Sequence, residues 1–251
     1  MKSNINLLLD SICKNGIDTD SEQQIRNSIS KVLGRLNDAV RGAETDDELD
    51  ELKDVKQRCL MVLGRLQNEC LIKRSPETAF FQRYDLTCFL YNIFSAADLN
   101  LCSNGLRIFL NFKDRPVYTV FEISSLQTAL YNMTVCLAEI SPIRTVMTVE
   151  MEVLDRYISI KMRTVCGHEE KFCKMQDTFS YVAAAHAASL HGGTMLVGRD
   201  GENITCSFRI SRELLPAKVN NLLALPSFID LVCDSMSPMY ISMSKICSCP
   251  L

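Results

Sequence analysis

No run of 18 apolar residues occurs in this 251-residue chain, so no segment reads as a helix able to span a bilayer. A surplus of positive charge is missing too. Against 27 Lys and Arg stand 30 Asp and Glu, a formal charge of -3. There is no polyanion-binding footprint, and nucleic acid is not expected as a partner. The N-terminus offers one lysine and a short apolar run, Ile5 to Leu9 broken by Asn6, too poorly flanked for a secretion signal. A cytoplasmic protein is expected. Internal repeats and low-complexity tracts are absent. Twelve cysteines are present, yet none shows the CxxC…CxxC spacing of a structural zinc site. The denser pieces, Cys166 and His168 with Cys173, and Cys247 with Cys249, are not expected to hold metal. Without a secretion signal, disulfides are not expected either. All three histidines, His168, His186 and His191, lie in the second half of the chain.

What is present begins with helices. Residues 1–20 contain a short amphipathic piece (Ile5, Leu8, Leu9, Ile12) ended by Asn15-Gly16. Ser21, with Gln24 three residues on, opens a helix whose apolar residues are Ile25, Ile29, Val32, Leu36 and Val40. Gly42 stops it. Thr45-Asp-Asp-Glu48 starts a second helix, and Leu49, Leu52, Val55, Cys59, Val62, Leu66 and Cys70 continue the stripe. Helices joined so briefly lie antiparallel. Their common stripe needs a cover, either a second copy in a four-helix bundle or the chain's own downstream domain. Its length and heptad-like spacing favour the homodimer.

From about Pro76 the pattern becomes mixed α/β. A helix is expected over Tyr84–Leu101, a strand over Leu106–Phe112, a short strand over Val117–Val120, and a helix over Ile123–Ile140 stopped by Ser141-Pro142. Thr145–Val153 and Tyr157–Thr164 alternate as a hairpin. A poorly patterned loop, 165–177, precedes an alanine-rich helix ending at His191-Gly192-Gly193. A second hairpin, 194–210, turns at Asp200-Gly201. Residues 212–251 read as an appendix packed on the sheet. Phe80, Phe81 and Tyr84 read as packing at the boundary of the two domains.

The segments SLHGGTMLVGRDGENITCSFRIS (189–211), LQTALYNMTVCLAEISP (126–142) and RYDLTCFLYNIFSAADLNLCSNGLRIFLNF (83–112) resemble the ATP-binding domain of two-component sensor histidine kinases. Residues 21–75 resemble the dimerisation and phosphoacceptor hairpin that precedes it. The fold class implied is α+β: an antiparallel two-helix hairpin over 21–75, then an ATPase-like α/β sandwich over 76–211, flanked by the short N-terminal helix and the appendix.

The chemistry the family uses does not carry over. Its phosphoacceptor histidine falls at Gln23, whose amide cannot attack a γ-phosphate as a neutral imidazole can. The magnesium-binding asparagine falls at Cys136, a soft thiol where a hard cation takes oxygen. Asn132, one turn earlier, is the nearest amide. The adenine-reading aspartate falls at Thr164, its neighbouring glycines at Cys166 and His168, and the phosphate-approaching glycines near Thr178 and Ser180, with Tyr181 beside them. ATP binding in the micromolar to millimolar range is worth about 4 to 8 kcal/mol. Each lost charge-assisted bond removes roughly 1.5–3 kcal/mol, so several losses cancel it.

The resemblance therefore implies a pseudokinase with no catalytic residue and no cofactor: a dimeric scaffold or regulator of response-regulator receiver domains, or of a partner kinase. Gln23, Arg26, Asn27 and Ser30 on the first helix are the partner-contact candidates. Two alternatives stay open. One is an active ATP- and Mg²⁺-dependent kinase or phosphatase, with Asn132 and Glu139 as its assets and Gln23 positioning water. The other is a small-molecule sensor using the vacated pocket. His191, at a helix C-terminus, is expected to be a partly charged cap.

Overall fold

The computed structural model describes residues 19–43, 45–112, 115–214, 224–234, 237–244 and 246, with side chains from residue 27 onward. The short helix expected before Asn15-Gly16 falls outside these, and Cys13, Cys247 and Cys249 fall outside as well. Helix α1 (Thr19–Arg41) and helix α2 (Asp46–Lys73) form the expected hairpin. Thr45 starts α2, its hydroxyl accepting the Glu48 N–H at 3.3 Å, with acidic residues on the positive end of the helix dipole. Ile29, Leu33 and Leu36 pack on Cys59, Leu60, Val62, Leu63 and Leu66 in a core separate from that of the second part, joined by Ile241.

Strand β1 (Gln82–Asp85) opens the second part, followed by α3 (Leu86–Cys102), β2 (Arg107–Asn111), β3 (Tyr118–Phe121) and α4 (Ile123–Ile140). Then come β4 (Val146–Val153), β5 (Tyr157–Val165), α5 (Glu169–Lys174) with a 3₁₀ turn (Met175–Asp177), and α6 (Phe179–Leu190). Strands β6 (Met195–Asp200) and β7 (Asn203–Ser211) close the sheet, and α7 (Phe228–Cys233) and α8 (Pro238–Met243) end the described chain. The main sheet runs β2-β4-β5-β7-β6, with β2 parallel to β4 and the other neighbours antiparallel. Strand β1 pairs with β3 in a separate antiparallel ribbon.

Alternation explains the sheet's two faces. Ile158, Ile160, Met162 and Thr164 of β5, and Ile204, Cys206, Phe208 and Ile210 of β7, point into the core. The opposite face carries Lys161–Glu152 (2.5 Å) and Arg163–Glu150 (3.8 Å) ion pairs. Helix α4 is buried at every position from Ser125 to Leu137, the pattern of a helix surrounded on all sides. Helix α6 lies beside it, and Ala183, Ala184, Ala187 and Ala188, all without exposed surface, let the two approach closely.

Three expectations need correction. Tyr84 belongs to a strand, not a helix: Asp85 stops that strand and caps α3, its Oδ1 accepting the N–H groups of Thr87 (3.0 Å) and Cys88 (3.2 Å). The loop 165–177 contains α5, which buries none of its residues and so leaves no apolar period in the sequence; a Lys174–Glu170 pair at 2.6 Å spans one turn. The described helices of the C-terminal appendix, α7 and α8, pack on helices rather than on the sheet. Helix α8 lies against α2, α3 and α4, since the inner sheet face is already covered and the outer one is charged.

Candidate functional site

Three elements surround the place to which the sequence assigns a nucleotide: the second half of α4, the end of β5 with the residues after it, and the start of α6. Cys136 of α4 is buried, its Sγ 3.7 Å from the Thr178 hydroxyl. That hydroxyl caps α6, accepting the Tyr181 N–H at 3.2 Å and donating to the Met175 carbonyl at 2.7 Å. The positive end of α6, to which the sequence resemblance assigns phosphate, is thus met by the chain's own threonine. Ser180 is buried in the same turn. Burial, then the nearby Cys206 and Cys136, raises the Tyr181 hydroxyl above its ordinary range, and burial does the same to the Cys206 thiol. A thiol so raised stays protonated and unreactive.

At the end of β5, Thr164 is 2% exposed. Its hydroxyl lies 2.6 Å from that of Ser141, which donates to the Leu137 carbonyl at 2.7 Å. Two hydroxyls closed on each other stand where the sequence resemblance assigns a nucleotide-reading carboxylate. The following residues lie flat on the end of α4: the N–H groups of Gly167 and His168 both donate to the Ile140 carbonyl, at 2.7 and 3.1 Å. A Cβ on Gly167 would come 2.8 Å from the Pro142 nitrogen, so only glycine fits that approach. Cys166 is half-buried, its N–H bonded to the Glu202 carbonyl and its Sγ 3.9 Å from a Glu169 oxygen. His168 is exposed at the start of α5 and makes no side-chain cap.

Cys136, Ser180 and Tyr181 are therefore brought together, with Thr164 bonded to Ser141 at the end of β5. Cys166 sits at the edge and His168 on the surface. Asn132 does not face this place. Its Nδ2 donates to Asn68 Oδ1 at 2.6 Å, and the two buried amides join α4 to α2. The side chain is thereby held toward α2, away from Cys136 and Thr178, where a stand-in metal ligand was expected. Among the described residues no group of three His, Cys, Asp or Glu is placed to hold a metal, and no helix is long and apolar enough to cross a membrane.

A second polar cluster joins the hairpin to the sandwich. Arg74, at the end of α2, pairs with Glu122 at 2.8 Å, and the other Glu122 oxygen caps α4 by accepting the Ser125 N–H at 2.6 Å. His186 Nε2 donates to the Arg74 carbonyl at 2.9 Å. His191 is the C-cap of α6, as expected, but it is fully buried and burial lowers its pKa, so the imidazole is neutral and the partial charge expected of it is corrected. Gly192 follows at φ +65, and a Cβ on Gly193 would overlap the Arg209 carbonyl. Of the partner-contact candidates, Asn27 is exposed and Ser30 half-buried on α1, while Gln23 and Arg26 lie on that helix outside the described side chains. Phe80 is exposed, whereas Phe81 and Tyr84 are buried at the domain boundary. Sequence reasoning missed Ser141, Asn68 and the Arg74–Glu122 pair. An acidic residue three positions before Ser125 was the readable sign of the last.

No protein-family model and no curated protein matches the chain by sequence. Solved structures do match by shape. The histidine kinase AdeS of Acinetobacter baumannii superposes with a TM-score of 0.56 at 11% identity, over 75% of this chain and 97% of that one. Full-length ShkA in complex with AMPPNP superposes with a TM-score of 0.59 at 12% identity, over 80% of this chain. The match spans 46% of ShkA. The fold is that of a histidine-kinase ATPase domain behind a helical hairpin.

Proposed function

We propose that this chain is a catalytically degenerate histidine-kinase-like protein that serves as a scaffold or regulator of response-regulator receiver domains and pairs with a second copy through its hairpin. The observation that carries this reading is the Thr164–Ser141 hydroxyl pair, 2.6 Å apart and buried, where the sequence resemblance assigns the nucleotide-reading aspartate. Cys136 and the Thr178 cap support it, since neither a thiol nor a satisfied helix end draws Mg²⁺ or phosphate. The receiver-contact surface is the start of α1, with Gln23, Arg26, Asn27 and Ser30 making contacts and no chemistry.

Calorimetric titration with a non-hydrolysable ATP analogue, with and without Mg²⁺, tests the first half. The expected result is no saturable heat up to millimolar nucleotide. Micromolar, Mg²⁺-dependent uptake removes the proposal. Co-purification with receiver domains from the same genome tests the second half, and substitution of Asn27 and Arg26 by glutamate is expected to abolish it.

A further inference from the structure

The connector between hairpin and sandwich, residues 74–81, lies against the end of α6 and the start of α4. Ala79 and Phe81 are buried there with Val120 and Leu190. Two histidines of α6 hold it: His186 donates to the Arg74 carbonyl, and the His191 ring meets Phe81. His191 also accepts the Glu122 N–H at Nε2, while its Nδ1 lies 2.7 Å from the Ala187 carbonyl. The charged group acting on this ring is Glu122 of α4. Arg74 of α2 pairs with that carboxylate, and Tyr84 of β1 faces it. From β7 the contact is made by backbone, Ser211 N–H donating to the His191 carbonyl at 2.9 Å.

The two histidines answer a proton differently. A charged His186 still donates to the Arg74 carbonyl, whereas a charged His191 has two donors and no acceptor. Its Nε2–H then points at another N–H, and the anion beside it is the Glu122 carboxylate. One Glu122 oxygen is held by Arg74 and the other by the Ser125 N–H. Arg74 keeps 32% of its side chain in water and is readily rehydrated; Ser125 is buried, so its N–H would be left without a partner. The Arg74 pair is the one that yields. We infer that His191 is an acid-released catch on the connector: a proton at Nε2 expels the Glu122 N–H, draws the carboxylate off Arg74, and frees the end of the hairpin while the sandwich stays folded. The catch needs neither a receiver domain nor a second copy.

Hydrogen exchange by mass spectrometry on the full-length protein, at about pH 7.5 and about pH 5.5 and corrected for the intrinsic pH dependence of amide exchange, tests the catch. A proton excluded from the closed state and bound in the open one, on an imidazole of ordinary value about 6.5, favours opening by about tenfold across that interval. Exchange over residues 70–81 should rise by that factor in the wild type, with β4 and β5 unchanged. His186→Gln should keep the rise and His191→Gln should lose it. Arg74→Met should exchange about fivefold faster over the same residues already at the higher pH. No rise in the wild type, an equal rise in His191→Gln, loss of the rise in His186→Gln, or a matching rise in β4 and β5 overturns the catch. An unchanged connector in Arg74→Met overturns it too, and that arm does not require His191→Gln to fold.

Discussion

His191 Nε2 accepts the backbone N–H of Glu122 at 3.2 Å, tying the end of α6 to the start of α4. The other ring nitrogen lies 2.7 Å from the Ala187 carbonyl, which can only accept, so Nδ1 carries the proton. The ring also meets Phe81 edge-on, with centroids 5.4 Å apart. A histidine that the family resemblance marks as part of a motif is here a buried staple between two helices.

Acid should loosen that staple. The folded pKa of His191 is depressed, so its contribution is fully present above the unfolded value of about 6.5 and is lost as pH falls from there through the folded value. Denaturant unfolding of the wild type should show stability falling between neutral and mildly acid pH. His191→Gln should be less stable at neutral pH by about 2 kcal/mol and show a smaller loss across that window.

The Asn68–Asn132 pair predicts a pattern of single and double variants. Asn132→Leu should cost about 1–3 kcal/mol by leaving the Asn68 amide buried and alone. Replacing both by leucine should recover much of that loss. An additive double variant would show that the two amides are not coupled.

Arg74 and Glu122 join the hairpin to the sandwich across a partly solvated gap. A double-mutant cycle with Arg74→Met and Glu122→Gln should give a coupling of about 1 kcal/mol, since Arg74 keeps 32% of its side chain in water. Glu122→Ala should cost more than Glu122→Gln, because it also removes the cap on Ser125 N–H.

Restoring the family's residues should not restore its chemistry. Thr164→Asp would place a carboxylate at a 2% exposed site beside one hydroxyl, costing about 3 kcal/mol or more. Thermal unfolding should register the loss, and nucleotide titration of the Cys136→Asn/Thr164→Asp protein should stay flat. Nucleotide heat in that double variant would mean that the site is only two side chains away from function.

Long periodic elements were legible from the residues alone. The span of α4 emerged without error because Ser141-Pro142 stops it, and the β6–β7 hairpin because Asp200-Gly201 turns it. Strand β1 was not legible: four residues ahead of a helix, paired with a strand 36 positions away, leave no period to read. The site was half legible. Cys136 and Thr164 could be assigned by position, but Ser141, the residue that closes on Thr164, carries no motif.

Local order set the helices, their caps and the alternation of the strands, because those depend on neighbours within a few bonds along the chain. That all three histidines lie in the second half of the chain was also there to read, since no arrangement in space supplies a side chain the chain does not encode. Only packing decided where Asn132 points, that His191 is neutral, and that Ile241 joins the hairpin's core. Each of those depends on which surfaces compete for burial across more than 60 residues of separation, and such competition leaves no periodic mark in the sequence.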